Sequence, residues 1–377
     1  LLAQLYAARG VQSAAELDTD LAALLPPSGL KGIDAACDLL LTAIKNQEHI
    51  CIVADYDCDG ATACAVAVRG LRLLGAQNVS YLVPDRMQDG YGLTPPISQR
   101  VGATGATLLL TVDNGIASVQ GVQAAQDLGL KVLVTDHHLP ALGAQPQADA
   151  MVNPNQIGCG FASKALAGVG VMFYVLLALR AKLREQGAYG PQTGLTQPKL
   201  DGLLPLVALG TVADVVPLDA NNRRLVAQGM ARMRRGALPA GMAALLDVAG
   251  GKAHSISTRD LGFMLGPRIN AAGRLADMRL GIECLLSDNP AHALHLAQEL
   301  NQFNLERRER EAEMKEQAMF IVDGLLGAES SQPPPALSVF DESFHEGVVG
   351  IVASRLKDRL HRPTFVFAPS GAVGSSH

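Results

Sequence analysis

A chain of 377 residues, 48% hydrophobic and 18% charged, is long enough for more than one core and too apolar to stay disordered. Its net charge of −5 argues against a general nucleic-acid coat. Its apolar stretches are short or broken by charge, which excludes a membrane span of ~20 clean residues.

Residues 1–30 read as helical fragments ending in Pro26-Pro27-Ser28-Gly29, a surface lead-in. The chain opens on Leu1-Leu2-Ala3 with neither Met nor a basic segment ahead of an apolar one, so no signal peptide is expected. A helix-like stretch runs from Asp34 to about Lys45. Strands are then predicted at 50–54, 79–83, 107–112 and 131–135, and helices near 61–75, 95–102 and 117–129. That alternation predicts an α/β fold with a parallel sheet covered on both faces. In such sheets, sites gather beyond the carboxyl ends of the strands.

The first strand runs into Asp55-Tyr56-Asp57-Cys58-Asp59-Gly60. On extended backbone alternate residues share a face, so Asp55, Asp57 and Asp59 converge. Asp is also a good helix N-cap, the plainer reading of any one of them. The third strand ends in Asp113-Asn114-Gly115, the fourth in Asp136-His137-His138, and an apolar turn at 209–213 ends in Asp214. Four separate segments therefore deliver carboxylate or imidazole at element ends, which capping alone does not explain.

From 161 to 250 the pattern is mainly helical. Residues 165–183 read as a long apolar helix, and Arg223, Arg224, Arg232, Arg234 and Arg235 as a solvated basic face. Residues 290–323 read as one long helix. Its run Glu306-Arg307-Arg308-Glu309-Arg310-Glu311 mixes signs, which favours a solvent-exposed connector over a nucleic-acid patch. A breaker at 330–335 is followed by a strand at 336–340, the turn His345-Glu346-Gly347, a helix from about Val349 and a strand at 364–367. The six cysteines form no CxxC pair. They read as reduced core residues of a cytosolic protein, neither disulfides nor a zinc site.

Three carboxylates that close repel one another unless protons or a cation neutralise them. An oxygen-rich set with one or two His ligands suits Mn²⁺ or Mg²⁺ better than structural zinc. The set exceeds what one ion needs. Two ions about 4 Å apart sharing a carboxylate are the economical arrangement, and such a pair activates water and clamps phosphate for in-line displacement. The reaction class is hydrolysis of a phosphodiester or phosphoanhydride.

In order, Asp55-Tyr56-Asp57-Cys58-Asp59-Gly60, Asp113-Asn114-Gly115, Asp136-His137-His138 and Val212-Ala213-Asp214 resemble the four motifs of the DHH phosphoesterase superfamily. Further stretches resemble its RecJ branch: Pro84-Asp85-Arg86 with Gly90-Tyr91-Gly92, Leu166-Ala167-Gly168-Val169-Gly170, Gly266-Pro267-Arg268-Ile269-Asn270-Ala271-Ala272-Gly273-Arg274, and His345-Glu346-Gly347 with Gly350-Ile351-Val352-Ala353. The resemblance covers about residues 30–370. It implies a lead-in at 1–30, an α/β DHH catalytic domain with a parallel sheet at 31–288, a connecting helix at 289–326 and a smaller, partial α/β DHHA1 domain at 327–377. The function implied is a single-strand-specific 5′→3′ DNA exonuclease of repair and recombination, using two Mn²⁺ or Mg²⁺ ions. The implied protein is cytoplasmic and monomeric, away from membranes, with a single-stranded-DNA-binding protein as partner.

Carried over by motif, Asp55, Asp57, Asp59, Asp113, His137 and Asp214 are metal ligands, with Asp113 the bridge. Asp136 orients His137. His138 is a ligand, a phosphate contact or a proton donor to the leaving oxygen; its plainer reading is a buried structural His. Arg86, Arg268, Asn270 and Arg274 are candidate phosphate contacts, since guanidinium pairs with phosphate in a bidentate fork. The plainer reading for the arginines is a salt bridge to the acidic cluster.

Two departures accompany the resemblance. Other branches place a His four residues before Asp57, where this chain has Val53. After Ser370 it reads Gly371-Ala372-Val373-Gly374-Ser375-Ser376-His377, without the implied Gly-Ser-Gly-Arg-like and Gly-Gly-His segments or the OB-fold that follows. The first bears on Asp55 as a ligand, the second on the 5′-end pocket rather than the metal site. Two other functions stay open. One is a nanoRNA or cyclic-dinucleotide hydrolase or pyrophosphatase of the same superfamily, against which the RecJ-like stretches argue. The other is a non-catalytic module of replication complexes, against which the intact acidic motifs argue.

Overall fold

The computed structural model describes residues 1–86, 88–141, 143–326 and 334–369. The lead-in carries α1 (Leu2–Ala8) and three short 3-10 turns. Then come α2 (Ile33–Lys45), β1 (Ile50–Ala54), α3 (Cys58–Leu73), β2 (Val79–Leu82), α4 (Pro95–Ala103), β3 (Leu108–Val112), α5 (Val119–Asp127), β4 (Lys131–Thr135) and β5 (Ala150–Val152). The strands form one parallel sheet in the order β2-β1-β3-β4-β5. The predicted strands are all present, and β5, three residues long, is an addition.

Strand β1 is a continuous apolar run, and β3 and the interior of β4 are nearly so, because both faces are covered. Ile50, Ile52 and Ala54 point into a core built with α2 and α3, while Cys51 and Val53 point into a second core with Leu93, Ile97 and Val101 around α4 and Val122 of α5. The register then positions the site. Ala54 pairs with Val112, and Val112 with Thr135, so three strands end level. Asp55, Asp113 and Asp136 each donate one more ladder bond, to the carbonyls of Val112, Thr135 and Val152. The three aspartates therefore stand side by side where the strand order reverses about β1, the place where such sheets hold ligands.

The rest is mostly helical: α6 (Gly168–Glu185), α7 (Leu204–Ala213), α8 (Ala220–Arg234), α9 (Ala240–Val248), α10 (Thr258–Asp260), α11 (Gly266–Leu275), α12 (Arg279–Leu286) and α13 (Pro290–Leu326). The apolar turn at 209–213 is the last part of α7. Four arginines of the expected solvated face are engaged instead: Arg232 pairs with Asp201 and Arg234 donates to the Ile256 carbonyl, while Arg223 donates to the Glu16 carbonyl and Arg224 to those of Ala15 and Asp18. The last two fasten the lead-in to α8.

A small parallel pair, β6 (Leu337–Phe340) and β7 (Thr364–Phe367), is linked by α14 (Val349–Leu360). Its core of Val339, Phe344, Val348, Val352 and Leu356 closes on Met314, Ala318 and Val322 of α13. Upstream on the same helix, Leu296, Ala297 and Leu300 belong to the main core. At 37 residues, α13 spans roughly 55 Å and serves both cores. Its charged run is less exposed than expected, since Arg307 and Glu311 pair at 2.8 Å with side chains only 13% and 16% exposed. Part of the predicted breaker, 330–333, and residues 370–377 lie outside the described residues.

Candidate metal centre

Asp55 closes β1 and is buried; its Oδ1 accepts the Tyr56 N–H at 2.7 Å. Asp57 is the N-cap of α3, its Oδ1 accepting from the Gly60 N–H at 2.9 Å. Asp59 lies in the first turn of that helix. The three do not converge by strand alternation, as expected from the sequence: the chain turns into α3 at Cys58, and the helical turn brings Asp59 round. The capping reading holds for Asp57, and the cap leaves Asp57 able to offer an oxygen to the same cluster as Asp55 and Asp113. The Asp59 carboxylate accepts from Gly168 N–H at 2.6 Å and Val169 N–H at 3.0 Å, so the positive end of α6 faces it.

Asp113 closes β3 with φ 62°, the left-handed region that Asp tolerates better than most residues. Beside it, α6 begins with Gly168, where any Cβ would collide with the Asp113 carboxylate. His137 closes β4, and its Nε2 lies 3.2 Å from Asp113 Oδ1, 3.5 Å from Asp214 Oδ2 and 4.0 Å from Asp59 Oδ2. Asp214 caps the C-terminus of α7 and is followed by Val215 at φ 64°. A β-branched residue there is strained, and strain of this kind clusters at functional sites.

Potential ligand atoms fall into overlapping sets, each within 4.8 Å: Asp55, Asp57 and Asp113; Asp59, His137 and Asp214; and Asp113, His137 and His138. Asp113 and His137 are the shared members. Asp113 Oδ1, His137 Nε2 and Asp214 Oδ2 are buried with no hydrogen-bond partner. Buried polar atoms left unpaired are costly and rare. Three facing one another fit a divalent cation, and the oxygen-rich donors fit Mn²⁺ or Mg²⁺.

Charges agree. Burial first, then Asp59 and Asp57, pushes Asp113 well above the carboxylate range. Burial with Asp57 raises Asp55 and Asp59 to about 7, and burial with Asp59 raises Asp214 to about 7. Without a cation, these groups hold protons instead. The two histidines diverge. Burial lowers His137 despite Asp214, leaving the neutral imidazole a metal needs. The Asp136 hydrogen bond raises His138 to about 9.

Asp136 corrects an expectation. Its Oδ1 accepts from the His138 ring at Nδ1, 2.7 Å away, and from the backbone N–H groups of His137 and His138. Its other oxygen accepts from Ile116 N–H at 2.8 Å. It therefore orients the imidazole of His138, and holds His137 only by the backbone. Although burial opposes it, the His138 bond keeps Asp136 below its usual range. Sequence reasoning missed Asn153 and Asn155, whose side-chain amides donate to the carbonyls of His138 and His137; their only signal was an Asn-Pro-Asn following a strand too short to predict. Tyr91, of the Gly90-Tyr91-Gly92 stretch, also stands in the site. Its hydroxyl lies 3.3 Å from His138 Nε2, and its ring meets Tyr56 edge to face.

The phosphate candidates divide. Arg86 is exposed, with its guanidinium 4.8 Å above the Tyr56 ring. Arg274 is half-buried and donates to the Gly347 carbonyl at 3.2 Å. Arg268 is engaged by Asn301 and the Met264 carbonyl. Asn270 uses its side-chain carbonyl to accept the Cys58 N–H at 2.7 Å, tying α11 to the start of α3. Two cavities flank the acidic cluster. One of about 710 Å³ is lined by Asp55, Asp57, Arg86, Tyr91 and His138. The other, of about 980 Å³, lies against α11 and α13 and includes Arg268 and Asn270. Arg274 lines both.

Residues 49–211 match the family described as "DHH family, N-terminal domain". The single-stranded-DNA-specific exonuclease RecJ of Salmonella typhimurium is 49% identical over 371 residues, 98% of this chain and 64% of that protein; the chain thus spans under two thirds of that relative. A crystal structure of exonuclease RecJ bound to manganese superimposes with a TM-score of 0.78 at 34% identity, over 92% of this chain and 81% of that one. RecJ of Thermus thermophilus in complex with Mn²⁺ gives 0.78 at 33% identity, over 96% of this chain and 49% of that one. Motifs, sheet topology and these similarities agree, and the chain belongs to the RecJ family of DHH proteins.

Proposed function

We propose that this chain is the catalytic part of a single-strand-specific 5′→3′ DNA exonuclease of repair and recombination. The observation that carries the reading is the convergence of β3, β4 and α7 on three buried, unpartnered donor atoms, Asp113 Oδ1, His137 Nε2 and Asp214 Oδ2. In support, the RecJ structures it resembles were solved with Mn²⁺ and Mg²⁺. Asp55, Asp57 and Asp113 would hold one cation, and Asp59, His137, Asp214 and Asp113 the other. When bound, the pair supplies activation of water and charge neutralisation for in-line displacement at phosphorus.

The protein's own groups do the rest. His138, kept charged by Asp136, donates a proton from Nε2 to the leaving oxygen, and Tyr91 aims the ring. Arg86 and Arg274 contact the phosphate; Arg268 and Asn270 hold α11 in place and contact it less directly. Residues 31–288 act as the catalytic unit, 289–326 as connector and 327–377 as part of a second unit. Six free cysteines, five of them buried, favour the reducing cytoplasm. Among the described residues no helix is long and apolar enough to cross a membrane. A monomer served by a single-stranded-DNA-binding protein completes the proposal.

The test is a digestion panel with Mn²⁺: 5′-labelled and 3′-labelled single strands, duplex, short RNA and cyclic dinucleotides. The proposal expects mononucleotide release from the 5′ end of single-stranded DNA. Preferential hydrolysis of short RNA or cyclic dinucleotides would move the chain to another DHH activity. Mn²⁺ binding with no hydrolysis of any of them would leave a non-catalytic module.

A further inference from the structure

Phe263 is an aromatic side chain that the chain leaves uncovered. It is 78% exposed and lies in the π-helical turn Leu261–Leu265 that joins α10 to α11. Its neighbours Leu261 and Leu265 are buried, so the turn is anchored on both sides while Phe263 faces out. Such widened turns are rare and recur at functional sites. Leaving a Phe in water forgoes the gain of burying it, yet a single exposed apolar residue is ordinary by itself.

The surroundings make the difference. Phe263 lines the cavity of about 980 Å³ together with Arg268, Arg307, Arg308, Lys315 and Arg355. The one acid among its described lining residues, Glu311, is already paired with Arg307 and Arg355. Arg308 and Lys315 are exposed. This is a cationic cleft in a chain of net charge −5, and it meets the cavity at the metal centre at Arg274. Val215, 84% exposed, is a second apolar wall. Cations with an uncovered aromatic face are what an unpaired strand requires, phosphates on one side and a base on the other.

Resting on the nuclease reading, we propose that Phe263 is a stacking platform for one base of the single strand, with Arg308 and Lys315 of α13 holding the phosphates alongside. The apolar side chain of a partner protein is the competing occupant, and it has no dependence on bases.

The experiment measures binding of a phosphorothioate-linked single strand, which resists hydrolysis, in Mn²⁺. Each base is removed in turn, for wild type and for Phe263→Ala and Phe263→Trp. Wild type should lose five- to 150-fold in affinity at one position, the range of a single stacked base. Phe263→Ala should bind the intact strand more weakly by a similar factor and be indifferent to base removal at that position. Phe263→Trp should restore both. The salt dependence should stay parallel among all three, because no phosphate contact is lost. Equal affinity of Phe263→Ala and wild type, or the same base dependence in both, overturns the stacking assignment while leaving the nuclease reading intact. If wild type binds Mn²⁺ and no single strand, the nuclease reading falls and this inference falls with it.

Discussion

Asp113 occupies the left-handed region, is buried and has an oxygen without a hydrogen-bond partner. Its backbone limits how it can be tested. Ala is strained at positive φ, whereas Asn tolerates it. Asp113→Asn should therefore abolish hydrolysis at saturating Mn²⁺ while raising the melting temperature of the metal-free protein at pH 8, since a buried carboxyl whose ionisation the fold opposes is gone. Turnover above a few per cent of wild type would exclude Asp113 as the shared ligand. The two histidines should separate by assay. His137→Ala should lower Mn²⁺ affinity at least tenfold, and His138→Ala should lower turnover at saturating Mn²⁺ with affinity nearly kept. Equal losses of affinity refute that division. For His138 the sign follows from its raised value of about 9: the acid is charged below it, so turnover should fall as pH rises on the alkaline side. Bound cations repel a charged imidazole and bring that limb below about 9. Asp136→Asn removes the largest cause of the raised value and should move the limb to still lower pH. An unmoved limb in the pH–rate profile would show that the Asp136–His138 pair does not set it.

At the scale of elements, the start of α6 is as much part of the site as any acidic motif. Two N–H groups of this helix hold Asp59, and the missing Cβ of Gly168 admits Asp113. Gly168→Ala should weaken Mn²⁺ binding at least tenfold by displacing Asp113. Gly170→Ala, two residues along, meets the Leu166 side chain first and serves as the control: it should cost stability by crowding and spare metal affinity. Titration of both variants by calorimetry checks this, and equal Mn²⁺ affinities would remove Gly168 from the site. The same elements show how far local patterns carry. Strands β1, β3 and β4 were legible as short, mostly apolar runs, because strands buried on both faces need little else. The three-residue β5 was not, and with it went Asn153 and Asn155. Such a strand exists only because β4 is there to pair with it.

At the scale of the whole molecule, the acidic cluster couples metal binding to stability. Asp55, Asp59 and Asp214 sit at about 7 in the metal-free fold, against about 4 in an unfolded chain. Their folded values are raised, so the stability they contribute is complete below about pH 4 and is lost as pH climbs through about 7. Metal-free protein should melt at a lower temperature at pH 8 than at pH 5. Mn²⁺ should restore the loss at pH 8 in proportion to the logarithm of its concentration and do little at pH 5, where protons compete. A metal-free melting temperature that rises between pH 5 and pH 8 would contradict the electrostatic account of the site.

What the sequence by itself determined is whatever local pattern encodes: the apolar strands, the acidic and histidine residues at their ends, the long connecting helix and, through the motifs, the family. Hydrophobic period and short motifs are properties of neighbours in the chain, so they survive without a fold. What only the tertiary structure decided depends on groups far apart in sequence or on how the backbone turns between near ones. Asp59 reaches the cluster through the turn into α3 and is held by α6, more than a hundred residues on. Asp136 chooses the ring of His138 over that of His137. Arg223 and Arg224 fasten the lead-in, and Asn270 is spent on Cys58. Charges of α13 that read as a solvent-exposed connector line a cationic cleft with Phe263. The reason is common to all of them: a side chain's residue type fixes which bonds it can make, and only the folded backbone and its packing determine which partner comes within about 3 Å.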